Sequence, residues 1–413
     1  MLDKPLRERC NINTNVESDT FVGIKANKGD IAVNFPLGYR LSDDERELRK
    51  DILLLLNTLS THTDKKDSEI NTNKAYNEVE WPIQAYLHII SDYFSRGYYK
   101  EREIEYKTSK RGKINWNRTI KTQKAYIQDD NVFFLDYVTK VQNVNENEII
   151  TLIHVFCVYE SFMKLGWLFS DYVPKKPTIS IYGKKAYYSA VVRKKLAQTF
   201  NDRNRELFKS MIAIIDSLGD ESKSNTYHYG TYRFEYVWES MLDSAYGIRN
   251  KEQFFPKTRW VLKSGKYSNA ALEPDSIMIF KDKIYVLDAK YYKYGYTGKA
   301  ANLPESTSIN KQITYGEYIA ESERFKNASG EGPTVYNAFI MPYNSYGKVF
   351  PTMENIHYIG TALSDWKSSD GTKPYEQVVG VLMDVKNLMK QTTKDYSRII
   401  ELAELIENSI MKL

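Results

Sequence analysis

The residues from Ser276 to Lys290 restrict the fold of this 413-residue chain more than any other segment. Two apolar runs, SIMIF and IYVLDAK, stand on either side of the polar residues 281–283, a pattern that predicts a β-hairpin. Because side chains alternate between the two faces of a strand, Asp288 and Lys290 are expected on the same face. Asp275 comes directly before the first run, so the hairpin can bring its carboxylate beside them.

Two carboxylates and an amine at this spacing suit the hydrolysis of a phosphodiester. Carboxylate oxygens are the ligands that Mg²⁺ prefers, and Mg²⁺ keeps several waters. A bound metal acidifies water and stabilises transition-state charge, while a lysine can orient or deprotonate that water. The alternative is an edge hairpin with exposed charges, because a Pro-Asp pair followed by Asp-x-Lys also arises by chance.

A carboxylate on the preceding helix is a candidate third member of this site. The pattern over 231–248 predicts a helix, and Glu239 is expected to face inward from it. Glu235 lies one turn earlier on roughly the same face and competes for the same role. For both residues the alternative is a solvated charge on the helix surface.

The order of the remaining elements is typical of a mixed α/β protein. Strands are predicted within 20–39, 334–341 and 355–363, and helices from an acidic start after Ser42 and over 75–98, 146–170, 203–218, 309–325, 375–390 and 393–411. Residues 61–74 are polar and predict a loop. A change of composition near residue 200 predicts an N-terminal α+β domain over 1–200 and a second domain over 201–413.

Composition excludes several classes of protein. Hydrophobic residues make up 42% of the chain and charged residues 27%, which is typical of a globular protein rather than a disordered one. No apolar stretch approaches the ~18 residues of a membrane span, and the first residues carry no apolar run, so we expect no membrane partner and no secretory signal. Two cysteines and five scattered histidines predict neither disulfides nor a zinc site, and they favour a reducing cytoplasm.

Two stretches are rich in basic residues. Residues 100–124 contain nine basic and three acidic side chains, and residues 175–195 contain seven basic and no acidic ones. Such stretches can neutralise nucleic-acid phosphates, although most charge runs are solvated surfaces. The candidates for contact with DNA or a protein partner are Arg111, Lys113, Arg118, Lys184, Lys185 and Lys194.

The hairpin resembles the signature of the PD-(D/E)xK nuclease superfamily, with Pro274-Asp275 before its first strand and Asp288-Ala289-Lys290 at the end of its second. The sequence LDAKYY, Leu303-Pro304 and SINKQITY over 308–315 resemble LlaJI-type restriction endonucleases and the related McrC subunits. FVGI…VNFPLGY within 21–39 and YFSRGYYKEREIEYKTSKRGKINWNRTIK over 93–121 resemble the N-terminal parts of these proteins. The resemblance implies a PD-(D/E)xK core, a central mixed sheet flanked by helices, in the C-terminal domain.

The resemblance also implies roles for individual residues. Asp275 and Asp288 would ligate Mg²⁺, for which Mn²⁺ is a possible substitute. Lys290 would act on the attacking water. Glu239 matches the helix carboxylate that supports the metal site.

Three residues match the helix that follows the hairpin and faces the active site in related nucleases. Gln312 and Tyr315 would support the site, with a capping or packing role as the alternative. Lys311 would contact a phosphate, or it is a surface lysine.

Double-stranded DNA and a McrB-like AAA+ GTPase hexamer are the partners that the resemblance implies. The chain would be the cleavage subunit of a restriction-modification or modification-dependent defence system and would stimulate the partner's GTP hydrolysis. Residues 1–200 would contact the GTPase ring, with Arg111 as a candidate to reach its nucleotide site. The chain lacks a GxxxxGK[ST] loop, so we expect it to bind no nucleotide alone. Two alternatives stay open: a stand-alone type II endonuclease that reads its own site, and a non-catalytic regulatory or binding subunit.

Overall fold

The computed structural model describes residues 5–27, 30–62, 79–80, 82–128, 131–145, 148–170, 172–218, 226–365 and 373–410. The architecture is mixed α/β, as the sequence predicts. The chain divides into two compact units, Met1–Glu80 with Asn225–Leu413, and Trp81–Ser224.

Helices and strands are numbered in chain order. Within the described ranges the eleven α-helices are α1 (Glu45–His62), α2 (Ile83–Arg96), α3 (Trp116–Thr122), α4 (Ile149–Leu165), α5 (Lys185–Ala197), α6 (Asp202–Ser217), α7 (Phe234–Tyr246), α8 (Tyr294–Thr297), α9 (Ser306–Glu321), α10 (Val385–Lys390) and α11 (Tyr396–Asn408). The strands of the same ranges are β1 (Cys10–Ile12), β2 (Val22–Asn27), β3 (Asp30–Phe35), β4 (Val79–Glu80), β5 (Glu101–Ser109), β6 (Lys113–Ile114), β7 (Ala125–Gln128), β8 (Asn131–Phe134), β9 (Tyr137–Asn145), β10 (Thr226–Thr231), β11 (Arg259–Leu262), β12 (Gly265–Ser268), β13 (Ser276–Phe280), β14 (Lys283–Ala289), β15 (Thr334–Tyr343), β16 (Ile356–Ala362) and β17 (Val378–Asp384).

A five-stranded mixed sheet forms the centre of the first unit, in the order β13-β14-β15-β17-β16. The three central strands run parallel, and β13 and β16 pair antiparallel at the two edges. All seven residues of β17 and nine of the ten in β15 are buried. Strands buried on both faces read as continuous apolar runs, which explains the composition of these two segments.

Two helices pack against this sheet. Tyr315 and Ile319 of α9 join Val286 of β14 in one buried apolar cluster. On α7, Trp238 is fully buried, and its indole N–H donates a hydrogen bond of 3.3 Å to the carbonyl of Ile340 in β15. Complete burial of an aliphatic or aromatic side chain contributes about 1.5–3 kcal/mol, so both helices are firmly fixed on the strands that carry the candidate site.

The N-terminal residues form a second sheet in this unit, in the order β1-β3-β2-β10-β4. β2 and β3 pair antiparallel, which confirms the two strands predicted within 20–39. β10, which directly precedes α7, pairs antiparallel with β2. The predicted boundary near residue 200 therefore falls inside the second unit, because the first eighty residues fold with the C-terminal half. Pairing between segments so distant in the chain leaves no local signal in composition.

The second unit combines helices with a small sheet. α2, α4, α5 and α6 pack together, and β5, β9 and β6 form an antiparallel sheet. β7 and β8 form a separate hairpin. α2 begins only at Ile83, directly after Pro82. A proline disfavours helical geometry in the residue that precedes it, so a helix does not readily extend back past Pro82. Two predictions fall largely outside the described residues. They are the part of the helix predicted over 75–98 that precedes Ile83, and most of the loop predicted over 61–74.

One helix of this unit differs from the expectation that no stretch approaches a membrane span. Ile149–Leu168, which is α4 with the following 3-10 turn, is long and apolar enough to cross a membrane by length and composition, with a mean hydropathy of 1.4. In this fold 61% of its most apolar 18-residue window is buried. His154 in its second turn is fully buried and accepts a hydrogen bond of 2.9 Å from the backbone N–H of Tyr99. These features are typical of a helix at the core of a globular unit.

The prediction of a helix over 375–390 is wrong. Val378–Asp384 is the strand β17, and only Val385–Lys390 is helical. The run VVGVLMD is buried on both faces, so it lacks the alternation that marks a half-buried strand. The helices predicted over 203–218, 231–248 and 309–325 are confirmed as α6, α7 and α9, with ends that differ by a few residues.

Candidate active site

The hairpin of β13 and β14 brings Asp275 to the end of β14. The two strands pair antiparallel over five residue pairs, which confirms the predicted hairpin. Asp275 precedes β13, and its Oδ2 accepts a hydrogen bond of 2.7 Å from the backbone N–H of Ala289. This bond fixes the carboxyl group beside the last residues of β14.

The side chains of Asp288 and Lys290 form an ion pair at the same strand end. The Lys290 Nζ is 2.6 Å from Asp288 Oδ2, and the two side chains are only 17% and 9% exposed. Burial lowers the pKa of the Lys290 amine, but the charge of Asp288, a hydrogen bond to it and the charge of Asp275 outweigh burial. The pKa of Lys290 is therefore above its ordinary value, and Lys290 is a cation in this arrangement.

The carboxyl groups of Asp275 and Asp288 are in direct contact. Burial raises the pKa of Asp275 most, followed by a side-chain hydrogen bond to Asp288 and the charge of Asp288. The hydrogen bond from the N–H of Ala289 lowers the pKa of Asp275, but by less than the other effects raise it. Two acidic groups this close cannot both ionise easily, so the pair holds a proton that a cation would displace.

Glu239 on α7 responds to the same charges. Its pKa is raised to about 6, chiefly by burial and then by the charges of Asp288 and Glu235, while Lys290 acts to lower it. Glu235 itself forms an ion pair with Arg233, with Glu235 Oε1 3.1 Å from the Arg233 Nε. Of the two helix carboxylates, Glu239 is thus the one associated with the hairpin residues.

A divalent cation fits the paired carboxylates. The described part of the chain contains no group of three or more His, Cys, Asp or Glu side chains arranged to hold a metal ion. Asp275, Asp288 and Glu239 therefore do not form a three-carboxylate site in this conformation. Mg²⁺, however, is commonly held by one or two carboxylates and completes its shell with water and substrate phosphates. A cation would also offset the repulsion that raises the pKa of Asp275.

α9 holds the backbone on both sides of this site. Gln312 is fully buried, and its Nε2 donates a hydrogen bond of 2.7 Å to the carbonyl of Val286. The hydroxyl of Tyr315 donates to the carbonyl of Glu273 at 3.2 Å. Lys311 is exposed and hydrogen-bonded to Tyr315. Gln312 and Tyr315 thus hold the middle of β14 and the segment before Asp275, without contacting the carboxylates in these bonds.

Lys251 is a positioning residue that the sequence analysis missed. Its Nζ donates a hydrogen bond to the backbone carbonyl of Asp275 and lies 2.9 Å from Asp243 Oδ2 on α7. Together the two contacts of Lys251 connect the start of β13 with α7. In the sequence Lys251 is one of 58 basic residues, with no spacing that distinguishes it from a surface lysine.

The basic candidates from the two charged stretches lie elsewhere in the chain. Arg111, Lys113, Arg118, Lys184, Lys185 and Lys194 are all exposed and all belong to the second unit. The guanidinium of Arg118 on α3 lies 3.8 Å from the ring centroid of Tyr106. Lys185 Nζ donates to the carbonyl of Leu218 at 3.0 Å. Arg118 and Lys185 therefore make contacts within their own unit as well as facing solvent.

The fold and this group of side chains suit a hydrolase that acts on phosphodiesters. The chain belongs to the LlaJI restriction endonuclease family, whose model matches residues 21–402. Component YdjA of the type II restriction enzyme BsuMI of Bacillus subtilis (strain 168) is 24% identical over 277 residues. That match covers 63% of this chain and 58% of the relative's length.

A solved structure also resembles this chain. It is the refined half-complex from a tetradecameric assembly of Thermococcus gammatolerans McrB AAA+ hexamers with bound McrC. The match has a TM-score of 0.39 and 16% identity, and it covers 93% of this chain and 83% of the other.

Proposed function

We propose that this chain is the DNA-cleaving subunit of a restriction system and that it hydrolyses phosphodiester bonds of double-stranded DNA with Mg²⁺. The observation that carries the proposal is the contact between the carboxyl groups of Asp275 and Asp288, with the Lys290 ammonium 2.6 Å from Asp288. Membership of a restriction endonuclease family supports the same reaction. The core around this site would be of the PD-(D/E)xK type.

Each residue of the site has a chemical task in this reaction. Asp275 and Asp288 would hold the cation, and Mn²⁺ would substitute because it also accepts oxygen ligands. Mg²⁺, when bound, supplies positive charge beside the phosphate and lowers the pKa of water. Lys290 donates hydrogen bonds that orient the attacking water and offset phosphate charge. Because the N–H of Ala289 already holds Asp275 in place, little rearrangement precedes the reaction.

Glu239 supports the site as a proton acceptor. Its pKa of about 6 lies close to neutral pH, where a carboxylate accepts and releases a proton most effectively. The carboxylate senses both Asp288 and Lys290, so it would take up a proton that the attacking water loses near them.

The cleavage assay compares Asp288→Asn and Lys290→Ala with the matched control Asp282→Asn. Asp282 is an exposed residue in the turn at the other end of the same hairpin. Each site variant is expected to slow Mg²⁺-dependent cutting by about 100-fold or more, as loss of a group that stabilises transition-state charge does. The control should cut like the wild type. Near-wild-type cutting by Asp288→Asn would refute the assignment.

We infer that a McrB-like AAA+ GTPase hexamer works with this chain. The Bacillus subtilis relative is named as a component of its restriction enzyme, which supports a role within a multi-subunit system. The second unit offers an apolar surface on α3, the β7–β8 hairpin and the segment that follows it. There Trp116, Ile120, Ile127, Val132 and Leu135 are between 52% and 77% exposed. Exposed apolar groups of this size are typical of protein–protein contacts.

The test of this partner uses the GTPase encoded beside the gene for this chain. Adding the purified chain is expected to raise GTP turnover, and the two proteins should co-elute. Ile127→Asp with Val132→Asp, a cross-strand pair of the hairpin, should abolish both effects because it places charges in the contact. Phe200→Asp, at a position that is 91% exposed between α5 and α6, is the control and should change neither.

Three other outcomes would be informative. Wild-type binding by the double variant would exclude this surface. The absence of both stimulation and co-elution with the wild-type chain would exclude the partner. Sequence-specific cutting by the chain alone would favour the stand-alone type II endonuclease.

A further inference from the structure

The strands β11 and β12 form a ribbon that stands apart from both sheets of the first unit. They pair antiparallel from Arg259–Ser268 to Leu262–Gly265. The pairing continues towards the base, where the N–H of Leu272 donates to the carbonyl of Pro256 at 2.9 Å. All residues of 257–270 are exposed, so the rest of the described chain covers little of the ribbon.

The two faces of the ribbon differ in chemistry. Directly opposed residues share a face, and successive pairs alternate. Trp260 and Tyr267 are opposed, and Leu262 lies on the same face; these side chains are 62%, 53% and 48% exposed. The other face carries the two charges of Arg259 and Lys266, with Val261 opposed to Lys266 and 65% exposed. One face is thus aromatic and apolar, and the other is basic.

The ribbon has no acidic residue to neutralise its charge. Residues 253–272 contain Lys257, Arg259, Lys263 and Lys266 and no Asp or Glu. Four positive charges on a short exposed ribbon attract a polyanion and repel another copy of the same ribbon. Charge complementarity therefore favours a nucleic-acid duplex over a second copy of this chain.

The base of the ribbon is continuous with the candidate active site. Leu272 lies three residues before Asp275 in the chain. On the other side of the base, the ring of Phe254 is buried and stacked on Phe325, with centroids 5.0 Å apart. Lys251 then donates to the backbone carbonyl of Asp275. The ribbon therefore emerges from a fixed segment next to the carboxylates that would meet the scissile phosphate.

We propose that the β11–β12 ribbon binds double-stranded DNA beside the cleaved phosphodiester. The proposal rests on the proposed nuclease function. Arg259 and Lys266 contact backbone phosphates, and Trp260 and Tyr267 contact sugars and base edges in a groove. The four residue pairs span about 10 Å along the strands, and a two-stranded β-ribbon fits the major groove, which is about 12 Å wide. The ribbon fixes where along the duplex the hairpin cuts, because it is joined to Asp275.

The first experiment measures affinity for a fluorescent duplex by anisotropy, in buffer with EDTA so that no cutting occurs. It compares Arg259→Ala/Lys266→Ala with the control Arg46→Ala/Lys281→Asn, which removes the same charge from exposed residues outside the ribbon and its base. The ribbon variant is expected to bind about tenfold or more weakly than the control. The slope of log K against log[salt] should be shallower for the ribbon variant than for the control by about 1.8, the equivalent of two phosphate contacts.

The second experiment detects contact directly. Ser264→Cys places a thiol at the ribbon tip, and Ser329→Cys is the control in an exposed loop. Both native cysteines, Cys10 and Cys157, are buried, and burial raises the pKa of each thiol, so a photoactivatable label attaches at the new position. Cross-links to DNA are expected from Ser264→Cys and not from Ser329→Cys.

The outcomes separate this proposal from the proposed function. If the wild type binds and cuts DNA, and the ribbon variant matches the control in affinity and salt dependence, the ribbon does not bind DNA and the nuclease assignment stands. Cross-links from Ser264→Cys to a second protein chain instead of DNA would overturn the proposal in favour of a protein contact. If the wild type neither binds nor cuts DNA, both proposals fail.

Discussion

Two opposing influences act on the side chain of Asp275. The N–H of Ala289 stabilises its ionised form, while burial and the neighbouring Asp288 favour the protonated form and prevail. Two aspartates at positions 275 and 288 therefore make the fold less stable than an aspartate hydrogen-bonded to an uncharged amide would. Unfavourable pairs of this kind persist where function requires them, so stability and activity should respond in opposite directions to their removal.

Asp275→Asn separates these two effects. The introduced amide can still accept from the N–H of Ala289 through its oxygen and donate to Asp288 through its nitrogen. It needs no added proton to do so, whereas Asp275 must take one up when the chain folds. In metal-free buffer we expect the melting temperature to rise by about 2–4 °C, the equivalent of about 1 kcal/mol. Millimolar Mg²⁺ should raise the melting temperature of the wild type but not of the variant, because only the wild type binds it. The same Mg²⁺-dependent shift in both proteins would argue against a cation at this site.

His154 gives the second unit a dependence on pH. Burial lowers its pKa from 6.5 to about 4; the charge of Asp92 raises the pKa slightly, and the charge of Arg96 lowers it slightly. The unfolded chain therefore binds more protons between these two values, and stability falls as the pH falls through that range. The total loss is about 3 kcal/mol, from about 1.4 kcal/mol for each unit of pKa. Urea unfolding at several pH values should show this loss in the wild type and a flatter profile in His154→Gln. His357→Gln, at a half-exposed histidine, should keep the wild-type profile.

At the scale of elements, local patterns were predictable and distant pairings were not. The β13–β14 hairpin follows from two apolar runs around a polar turn, and it places Asp275, Asp288 and Lys290 together. β17 was missed because a strand buried on both faces has no alternation. The β11–β12 ribbon was also missed, although Ser264-Gly265 between alternating residues is a turn signal. The pairing of β10 with β2 depends on tertiary contacts that no local window contains.

That distant pairing needs glycine at one point. Gly23 of β2 faces Gly230 of β10, and a Cβ on Gly23 would lie 2.1 Å from the carbonyl oxygen of Tyr229. Gly23→Ala should destabilise the first unit by more than Gly360→Ala, since Gly360 has nearly the same φ of +139° but no heavy atom within 4 Å. The Gly360 variant isolates the cost of the backbone conformation, about 1–3 kcal/mol. Equal losses in denaturant unfolding would show that the strands separate to admit the methyl group.

At the scale of the whole chain, the first unit is assembled from its two ends. Lys386 on α10 pairs with Asp51 on α1, with Nζ 2.7 Å from Oδ1 and side chains only 11% and 5% exposed. The hydroxyl of Ser42 bonds to both groups. Removing one partner of a buried ion pair costs about 3–5 kcal/mol, because the other charge is left uncompensated. α10 directly follows β17 of the central sheet, so α1 stabilises the sheet that carries the candidate site.

This assembly predicts which parts of the chain fold alone. β4 and β10 pair in parallel at the two ends of the excised segment, so a short flexible linker can replace Trp81–Ser224. We expect that shortened chain to unfold cooperatively. A fragment of residues 201–413 should not, since β10 loses both of its neighbours and Lys386 loses Asp51. Circular dichroism during heating distinguishes the two, with the full chain as the reference. A cooperative transition in the 201–413 fragment would instead support a domain boundary near residue 200, because it would show that the N-terminal strands and α1 are dispensable for the central sheet.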